Sequence, residues 1–412
     1  MIPEPTVTGP TVEELPGGTL LSVPGLRGAA VACGLKEDGQ LDLAVVVADA
    51  PRTAAAVTTR SELAAAPVRL LRHQLQVRPR VRTVVVNAGN ANALTGPRGW
   101  DDAEAMTEQA ARRAGPPATV LSTGVIGVPM PMDRIRDGIE RACSAPVRDA
   151  GLDVARAMMT TDTLPKTCAH VLDVPGSGRA ARYTVGGVAK GSGMIHPDMG
   201  TMLAIVATDA EVTPAALQRI LRSAADRSFH EISVDGDTST NDAVLLLAGG
   251  SGDPPIDVDD ARIYALERGI AATCRRLARE IVRDGEGVSR LMDLRVSGAR
   301  TRWEARRVAS TIACSPLVKT ALAGGDPNWG RILAAAARAG VSLDEGRLAL
   351  TLGHQRVYDG RPLAADEDAL QRTFAEPEVQ VELSLGEGEG EARLLTGDLT
   401  ERYIQINAEY RT

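Results

Sequence analysis

The sequence predicts an α/β protein with more than one structural unit, on three observations. Short apolar runs bounded by turn residues, such as 81–86 and 243–247, alternate with stretches where apolar residues recur every three or four positions, such as 214–226. The chain has 412 residues, enough for two or three such units. It has 44% hydrophobic, 24% charged and only 2% aromatic residues, the make-up of an ordinary globular protein whose cores are filled by Ala, Val, Leu and Ile.

Composition also narrows function. A net charge of −7 and the scarcity of aromatic side chains argue against nucleic acid as a partner, since neither a basic track nor a base-stacking platform is available. Residues 1–10 lack the basic region and apolar core of a secretory signal, and no apolar run reaches membrane-spanning length, so the expectation is a cytoplasmic protein without a membrane partner. Cys33, Cys143, Cys168, Cys274 and Cys314 are odd in number and form no C-x-x-C, as expected of reduced thiols. The histidines show no metal spacing, and no metal is expected. P-loop, G-x-S-x-G and H-E-x-x-H motifs are missing. Basic residues are overwhelmingly arginine; Lys36, Lys166, Lys190 and Lys319 are the only lysines and therefore candidates for positions that need a compact ammonium.

Along the chain, residues 29–33, 41–47 and 54–58 read as short strands and 64–71 as a helix. The strand at 81–86 ends in an Asn-Ala-Gly-Asn-Ala-Asn turn, Asn87 to Asn92, whose side chains either mimic backbone or line a pocket. After an amphipathic helix at 101–113, the run Ser122-Thr123-Gly124 breaks a strand into a turn able to offer a hydroxyl and a backbone N–H together. Helices at 134–143 and 147–159 lead to Thr160-Thr161-Asp162-Thr163-Leu164-Pro165-Lys166. That cluster of hydroxyls, a carboxylate and a rare lysine suits either an amino-acid ligand or a capped loop. Strands at 167–173 and 183–188, joined by a 175–178 turn, deliver the chain to Lys190.

The stretch from Lys190 to Leu203 is the centre of the sequence. A glycine-rich approach, Lys190-Gly191-Ser192-Gly193, leads to Gly200-Thr201 and then to a strand-like apolar run at 202–207. Cleavage before Thr201 would give that residue a free α-amino group beside its own hydroxyl, the N-terminal form of an activated nucleophile. Taken alone, the pattern is described first by a Gly-Ser-Gly loop feeding a buried strand. Beyond it come a helix at 214–226, the polar loop Asp235-Gly236-Asp237 to Asp242, a strand at 243–247, and a helix at 259–282. Ile263, Leu266, Ile270, Cys274, Leu277 and Ile281 recur there at helical spacing, making it the clearest amphipathic helix in the chain. It stops at Asp284-Gly285-Glu286-Gly287. From Arg290 onward a strand, a helical segment holding Lys319, a helix at 332–338 and strands at 348–352, 379–385 and 392–395 follow. The alternating pattern at 403–412 reads as a final strand.

Together these motifs resemble the ornithine acetyltransferase (glutamate N-acetyltransferase) family, self-cleaving N-terminal-threonine enzymes of arginine biosynthesis. The matching stretches are 87–96, 122–127, 160–166, 190–210, 235–242, 284–287, 311–332 and 403–412, in the family's order. The resemblance implies a layered α/β sandwich of the N-terminal-nucleophile type with a smaller C-terminal α/β domain at about 290–412. It implies cleavage between Gly200 and Thr201 into chains 1–200 and 201–412, which stay together as a heterotetramer of two of each. It implies that Thr201 takes an acetyl group from N2-acetyl-L-ornithine as an ester and passes it to L-glutamate, without cofactor, acetyl-CoA being a second donor if the enzyme is bifunctional. Thr123 and Gly124 would form the oxyanion hole; Thr160, Lys190, Glu286, Asn407 and Thr412 would bind substrate with Thr201. Asp198 and Gly200 stand where the commonest family pattern has Asn and Ala. The remaining alternatives are a specialised acyltransferase or amidohydrolase on the same scaffold, and an uncleaved relative that binds amino acids.

Overall fold

The computed structural model describes residues 11–37, 39–174, 181–196 and 202–409. The chain begins with β1 (Thr11–Glu14), β2 (Leu26–Val31), β3 (Leu43–Thr58), α1 (Ala66–Val77), β4 (Arg80–Asn90), α2 (Gly96–Ala114) and β5 (Ala118–Val125). It continues through α3 (Met132–Ser144), α4 (Gly151–Met158), β6 (Lys166–Val174), β7 (Ala181–Lys190), β8 (Leu203–Thr208), α5 (Pro214–Asp226), β9 (Ile232–Ser233), β10 (Ala243–Ala248) and α6 (Arg262–Arg283). The last part comprises β11 (Leu291–Ala299), α7 (Arg302–Ala313), α8 (Pro316–Ala323), α9 (Trp329–Ala336), β12 (Ala349–Leu352), β13 (Gln355–Asp359), α10 (Glu367–Ala375), β14 (Glu378–Ser384), β15 (Gly390–Gly397) and α11 (Glu401–Glu409). Among the described residues the strands form two sheets. One has nine strands in the order β1-β6-β7-β8-β10-β3-β4-β5, with β2 paired to β3; the other has six, β13-β12-β14-β11-β15-β9.

The larger sheet is covered in layers. Its β6, β7, β8 and β10 portion packs one face under α5 and α6, in a core that includes Val185, Val206, Leu246, Leu217 and Leu277. Its β3, β4 and β5 portion packs against α2 and α3 through Val45, Val85, Val120, Met106 and Ile139. Between the two portions lies a third core, in which Val154 and Met158 of α4 meet Val46, Val84, Val188, Ile205 and Leu245. This is the layered α/β sandwich expected. Parallel neighbours β8 and β10 are buried at every position, which is why they read as unbroken apolar runs rather than as alternating ones.

Strand β3 corrects one expectation. The separate strands at 41–47 and 54–58 are one element of 16 residues, and the turn-like Asp49-Ala50-Pro51 between them is absorbed where its pairing with β4 shifts register, between Val47 and Arg52. One strand can thereby pair with β2 and β4 along its first half and with β10 along its second.

The six-stranded sheet packs α7, α9 and α10 on one face, with Leu294, Val296, Ile312, Ile332, Phe374 and Val381 in its core. β9 is contributed from before α6 and pairs in parallel with β15. The chain end is a second correction: 401–409 forms α11, not a strand. Tyr403 and Asn407 stand one turn apart on it, and a helix satisfies its own backbone where no sheet edge is paired to it.

Helix α6 matches the spacing argument, with Ile263, Leu266, Ile270, Cys274, Leu277 and Ile281 all buried. Leu277→Ala is expected to lower stability by about 2–5 kcal/mol, read by urea unfolding with an unchanged denaturant slope.

Candidate active site

A cleft with a cavity volume of about 100 Å³ opens where β5 and β7 end, β10 begins and α11 passes over. Thr123, Gly124, Thr160, Lys190, Glu286 and Asn407 all line it, brought together from segments distant in sequence. Gly200, Thr201 and Thr412 lie outside the described residues, as does the 175–178 turn.

Two expected turns are strand instead: Asn87 to Asn90 end β4 and Ser122 to Gly124 lie within β5, paired to one another, and the wall at Thr123 and Gly124 rests on these asparagines. The buried Ser122 hydroxyl donates to Asn87 Oδ1 (2.6 Å), Asn87 Nδ2 to the Asn90 carbonyl (2.8 Å), and Asn92 Nδ2 to the Gly99 carbonyl (2.7 Å). Across the cleft Asn241 Nδ2 donates to the carbonyls of Ala91 (2.6 Å) and Ser122 (2.9 Å). The turn's asparagines are therefore structural, and Ala91 is its contribution to the lining. Gly124 has φ of +125°, and a Cβ there would lie 2.4 Å from the Gly89 carbonyl carbon, so no other residue can bring the chain this close to β4.

Opposite stands a buried charge cluster. Lys166 Nζ lies 2.7 Å from Asp162 Oδ1 and 2.5 Å from Asp284 Oδ2, with all three side chains almost fully buried. Asp162 Oδ1 also accepts from Gly191 N (2.7 Å), and its Oδ2 accepts from Thr160 N (3.0 Å). Asp284 further accepts from Thr163 and Leu164 backbone N–H groups (3.0 and 3.3 Å) and from the Thr163 hydroxyl. Burial by itself would raise the Asp162 pKa. The ammonium groups of Lys166 and Lys190, with the Gly191 N–H, outweigh it and hold that carboxyl well below its usual range.

This cluster sets the two groups with most to offer a ligand. Lys190 is 2% exposed, and its only hydrogen bond among the described residues is a long one to Thr123 Oγ1 (3.4 Å). Burial lowers its pKa, against the opposing pull of Asp162, Asp242 and Glu286. Glu286 is joined to the glycine-rich approach by a bond from its N–H to the Ser192 carbonyl (3.0 Å), and its Oε2 accepts from Asn407 Nδ2 (2.7 Å). A Cβ on Gly193 would lie 2.4 Å from the Glu286 carboxyl carbon, so glycine leaves that carboxylate the place it now occupies.

Several lining residues were missed as individuals in the sequence. Asp235 accepts from the N–H groups of Met194 (2.5 Å) and Ile195 (2.9 Å), pinning the chain at the end of the glycine-rich approach, where Met194 sits at φ +58°. Burial pushes its pKa up to about 6, against the bonds from Asp237, Met194 and Ile195. The polar 235–242 loop is thus both turn and wall. Tyr403 also lines the cleft, and its hydroxyl pKa is raised by burial and by Asp235, Glu286 and Asp237. Its spacing to Asn407 was visible, and α11 sets the two one turn apart on one face. His196 meets β9 and the end of α7: Nδ1 is 3.3 Å from Ser233 Oγ and 3.4 Å from Cys314 Sγ, and Nε2 is 3.4 Å from Ser310 Oγ. Lys36 and Lys319 are also structural, bonding to the Leu41 carbonyl (2.7 Å) and to Thr396 Oγ1 (3.0 Å). Among the described residues no group of His, Cys, Asp and Glu is placed to hold a metal ion, and no helix is long and apolar enough to cross a membrane.

An ammonium on one side and carboxylates of Glu286, Asp235 and Asp237 on the other suit a small ligand carrying both signs of charge. A family model described as the ArgJ family matches residues 27–412. The "Arginine biosynthesis bifunctional protein ArgJ" of Symbiobacterium thermophilum is 46% identical over 379 residues, covering 91% of this chain and 93% of its own. The protein of that name from Geobacter sulfurreducens is 43% identical over 400 residues, covering 95% and 100%. Among solved structures, an ornithine acetyltransferase of Mycobacterium tuberculosis complexed with ornithine is 37% identical with a TM-score of 0.40, covering 45% of this chain and 98% of its own. The ArgJ structure from Bacillus halodurans is 36% identical with a TM-score of 0.43, covering 47% and 100%.

Lys166→Met leaves two buried carboxylates without their shared cation and is expected to cost about 3–5 kcal/mol near neutral pH. Because the folded pKa of Asp162 lies below its unfolded value of about 3.9, the pair's contribution is complete above about pH 5 and is lost as acid protonates the carboxylate. The stability gap between wild type and variant, measured by denaturant unfolding at several pH values, should narrow below about pH 4.

Proposed function

This chain belongs to the ArgJ family, and on that premise we propose that it transfers an acetyl group from N2-acetyl-L-ornithine to L-glutamate through an ester on Thr201, in arginine biosynthesis. The acyl carrier is exposed by self-cleavage between Gly200 and Thr201. The observation that carries this reading is the single cleft lined by Thr123, Gly124, Thr160, Lys190, Glu286 and Asn407. Met202, the residue after Thr201, donates its N–H to buried Asp242, which follows the cleft residue Asn241 in the chain.

The α-amino group of Thr201, with an ordinary pKa of about 7.7–8, accepts the proton of its own hydroxyl as Oγ attacks the acetyl carbonyl carbon. The Thr123 hydroxyl and Gly124 N–H stabilise the negative charge on the carbonyl oxygen. As the carbon–nitrogen bond breaks, the amine of ornithine leaves with that proton. Glutamate then attacks the ester through its amine; N-acetylglutamate departs and the Thr201 hydroxyl is restored, completing a two-step exchange. Lys190 meets a substrate carboxylate, while Glu286, held by Asn407, meets an ammonium, and Thr160 and Thr412 complete the contacts. No step requires a cofactor; acetyl-CoA is a second donor in a bifunctional enzyme. The products of cleavage, 1–200 and 201–412, remain associated as a heterotetramer in the cytoplasm, with about 290–412 as a smaller C-terminal domain.

Incubation with N-acetylornithine and glutamate should yield ornithine and N-acetylglutamate. Free acetate without any need for glutamate, or no transfer by fully cleaved enzyme, would overturn the reading. Thr201→Ala should give a single full-length band on a denaturing gel. In the cleaved enzyme Thr123→Ala should lower the rate by about 100-fold to 1,000-fold, measured by ornithine release.

A further inference from the structure

The acetyl donor and the acceptor carry opposite charges at the ends of their side chains. N2-Acetyl-L-ornithine ends in an ammonium nitrogen and L-glutamate in carboxylate oxygens, at the same number of bonds from the α-carbon. Because the donor's α-nitrogen is acylated, the ammonium that it offers to Glu286 is the side-chain one. Exchange through one acyl carrier places the α-nitrogen and α-carboxylate of donor and acceptor alike, so the glutamate side chain runs to the same wall. That wall is acidic: Asp235, Asp237 and Glu286 line the cleft beside Tyr403, and Lys190 is the single cation among the described lining residues. A further carboxylate brought against it meets like charge, and two carboxylates in direct contact in a partly buried site do not both stay ionised.

Glu286 has the free atom for a proton. It is buried, and its Oε2 accepts from Asn407 Nδ2 (2.7 Å), an amide fixed by a second bond to the Tyr403 carbonyl (3.0 Å). Its Oε1 has no hydrogen bond among the described residues. A proton on Oε1 leaves Oε2 as the carbonyl oxygen and keeps the Asn407 bond. Asp235 lacks that freedom, since its oxygens accept from the N–H groups of Met194, Ile195 and Asp237. Asp237 is exposed, where water screens its charge. We propose that Glu286 is the charge switch of the cleft, ionised opposite the donor's ammonium and protonated opposite the γ-carboxylate of L-glutamate, to which Oε1 then donates a hydrogen bond. The inference rests on the reading of this cleft as the site of acetyl exchange. Its consequence is that the acceptor enters with a proton and the donor without one.

The surroundings favour such uptake. The titratable groups acting with Glu286 are Lys190 from β7 and Tyr403 from α11. The tyrosine hydroxyl is pushed up by burial and then by Asp235, Glu286 and Asp237, so the three carboxylates act on one point. Burial pushes Asp235 up to about 6, and Asp237 adds to the shift. Behind Asp235 stand Cys314 at the end of α7 and Lys319 in α8. The hydrogen bond of a carboxylic acid to a carboxylate is among the stronger ones, which repays the protonation.

Competition between acceptors tests this. Mature enzyme supplied with N2-acetyl-L-ornithine is offered L-glutamate and isotope-labelled L-ornithine together, and the two acetylated products are counted by mass spectrometry. Their ratio reports the ratio of kcat/KM values, in which steps common to both acceptors cancel. With an extra proton bound alongside glutamate, the ratio of N-acetylglutamate to labelled N-acetylornithine should fall about tenfold from about pH 7 to about pH 8. Glu286→Gln can turn an amide N–H to the γ-carboxylate while its carbonyl oxygen accepts from Asn407, so it should flatten this dependence to less than about twofold. A wild-type ratio that does not change with pH, or an E286Q enzyme that keeps the wild-type slope, overturns the proposal alone. A cleaved wild type that transfers no acetyl group to glutamate overturns the reading of the cleft and this proposal with it.

Discussion

The buried ion cluster of Lys166 with Asp162 and Asp284 is the constraint on which the site depends. Its members come from the loop after α4, the first residue of β6 and the end of α6, and Asp162 reaches further to the amide of Gly191. Three segments that would otherwise end in independent loops are thereby fixed to one another. Two of the cleft's charged groups, Lys190 and Glu286, stand next to or near these anchors in sequence, so their positions inherit the rigidity of the cluster. Such a cluster contributes little net stability compared with an apolar equivalent, since desolvation offsets most of the Coulombic gain. Its worth here is in placement, and breaking it exposes the cost that pairing hides.

The same economy runs through the uncharged wall. The asparagines at the end of β4 and just beyond it spend their amides on backbone carbonyls, and Asn241 ties that wall to the loop before β10. Because the surrounding cores are aliphatic and almost free of aromatic side chains, they offer no polar atoms to these strand ends. The polar network supplies them instead, and in doing so holds Thr123 and Gly124 still. Most of the cleft's polar groups have their hydrogen bonds spent on structure, whereas among the described residues Lys190 has one long side-chain bond and Glu286 is held through one carboxylate oxygen. Groups left short of partners in an otherwise satisfied site are those that a ligand or a reacting bond can complete.

Sequence alone determined much of this. The six apolar positions of α6 lie on one face, and α5 has the bounds its Pro and its spacing indicated, because helical periodicity over several turns admits one solution. The buried strands β8 and β10 were legible as runs, and the scarcity of lysine pointed to Lys166 and Lys190, although Lys36 and Lys319 share that scarcity and are structural. Where the pattern was short it was ambiguous: alternation at 403–412 fitted strand and helix alike, and turn residues inside β3 looked like a boundary. Tertiary structure alone decided which carboxylate faces which ammonium. Pairings such as Lys166 with Asp284, Asn407 with Glu286 and Asp242 with Met202 join residues that no local rule relates, since they are set by the closure of sheets and helices around their cores. A periodic pattern records what a residue does to its neighbours in the chain, whereas a site is made of neighbours in space.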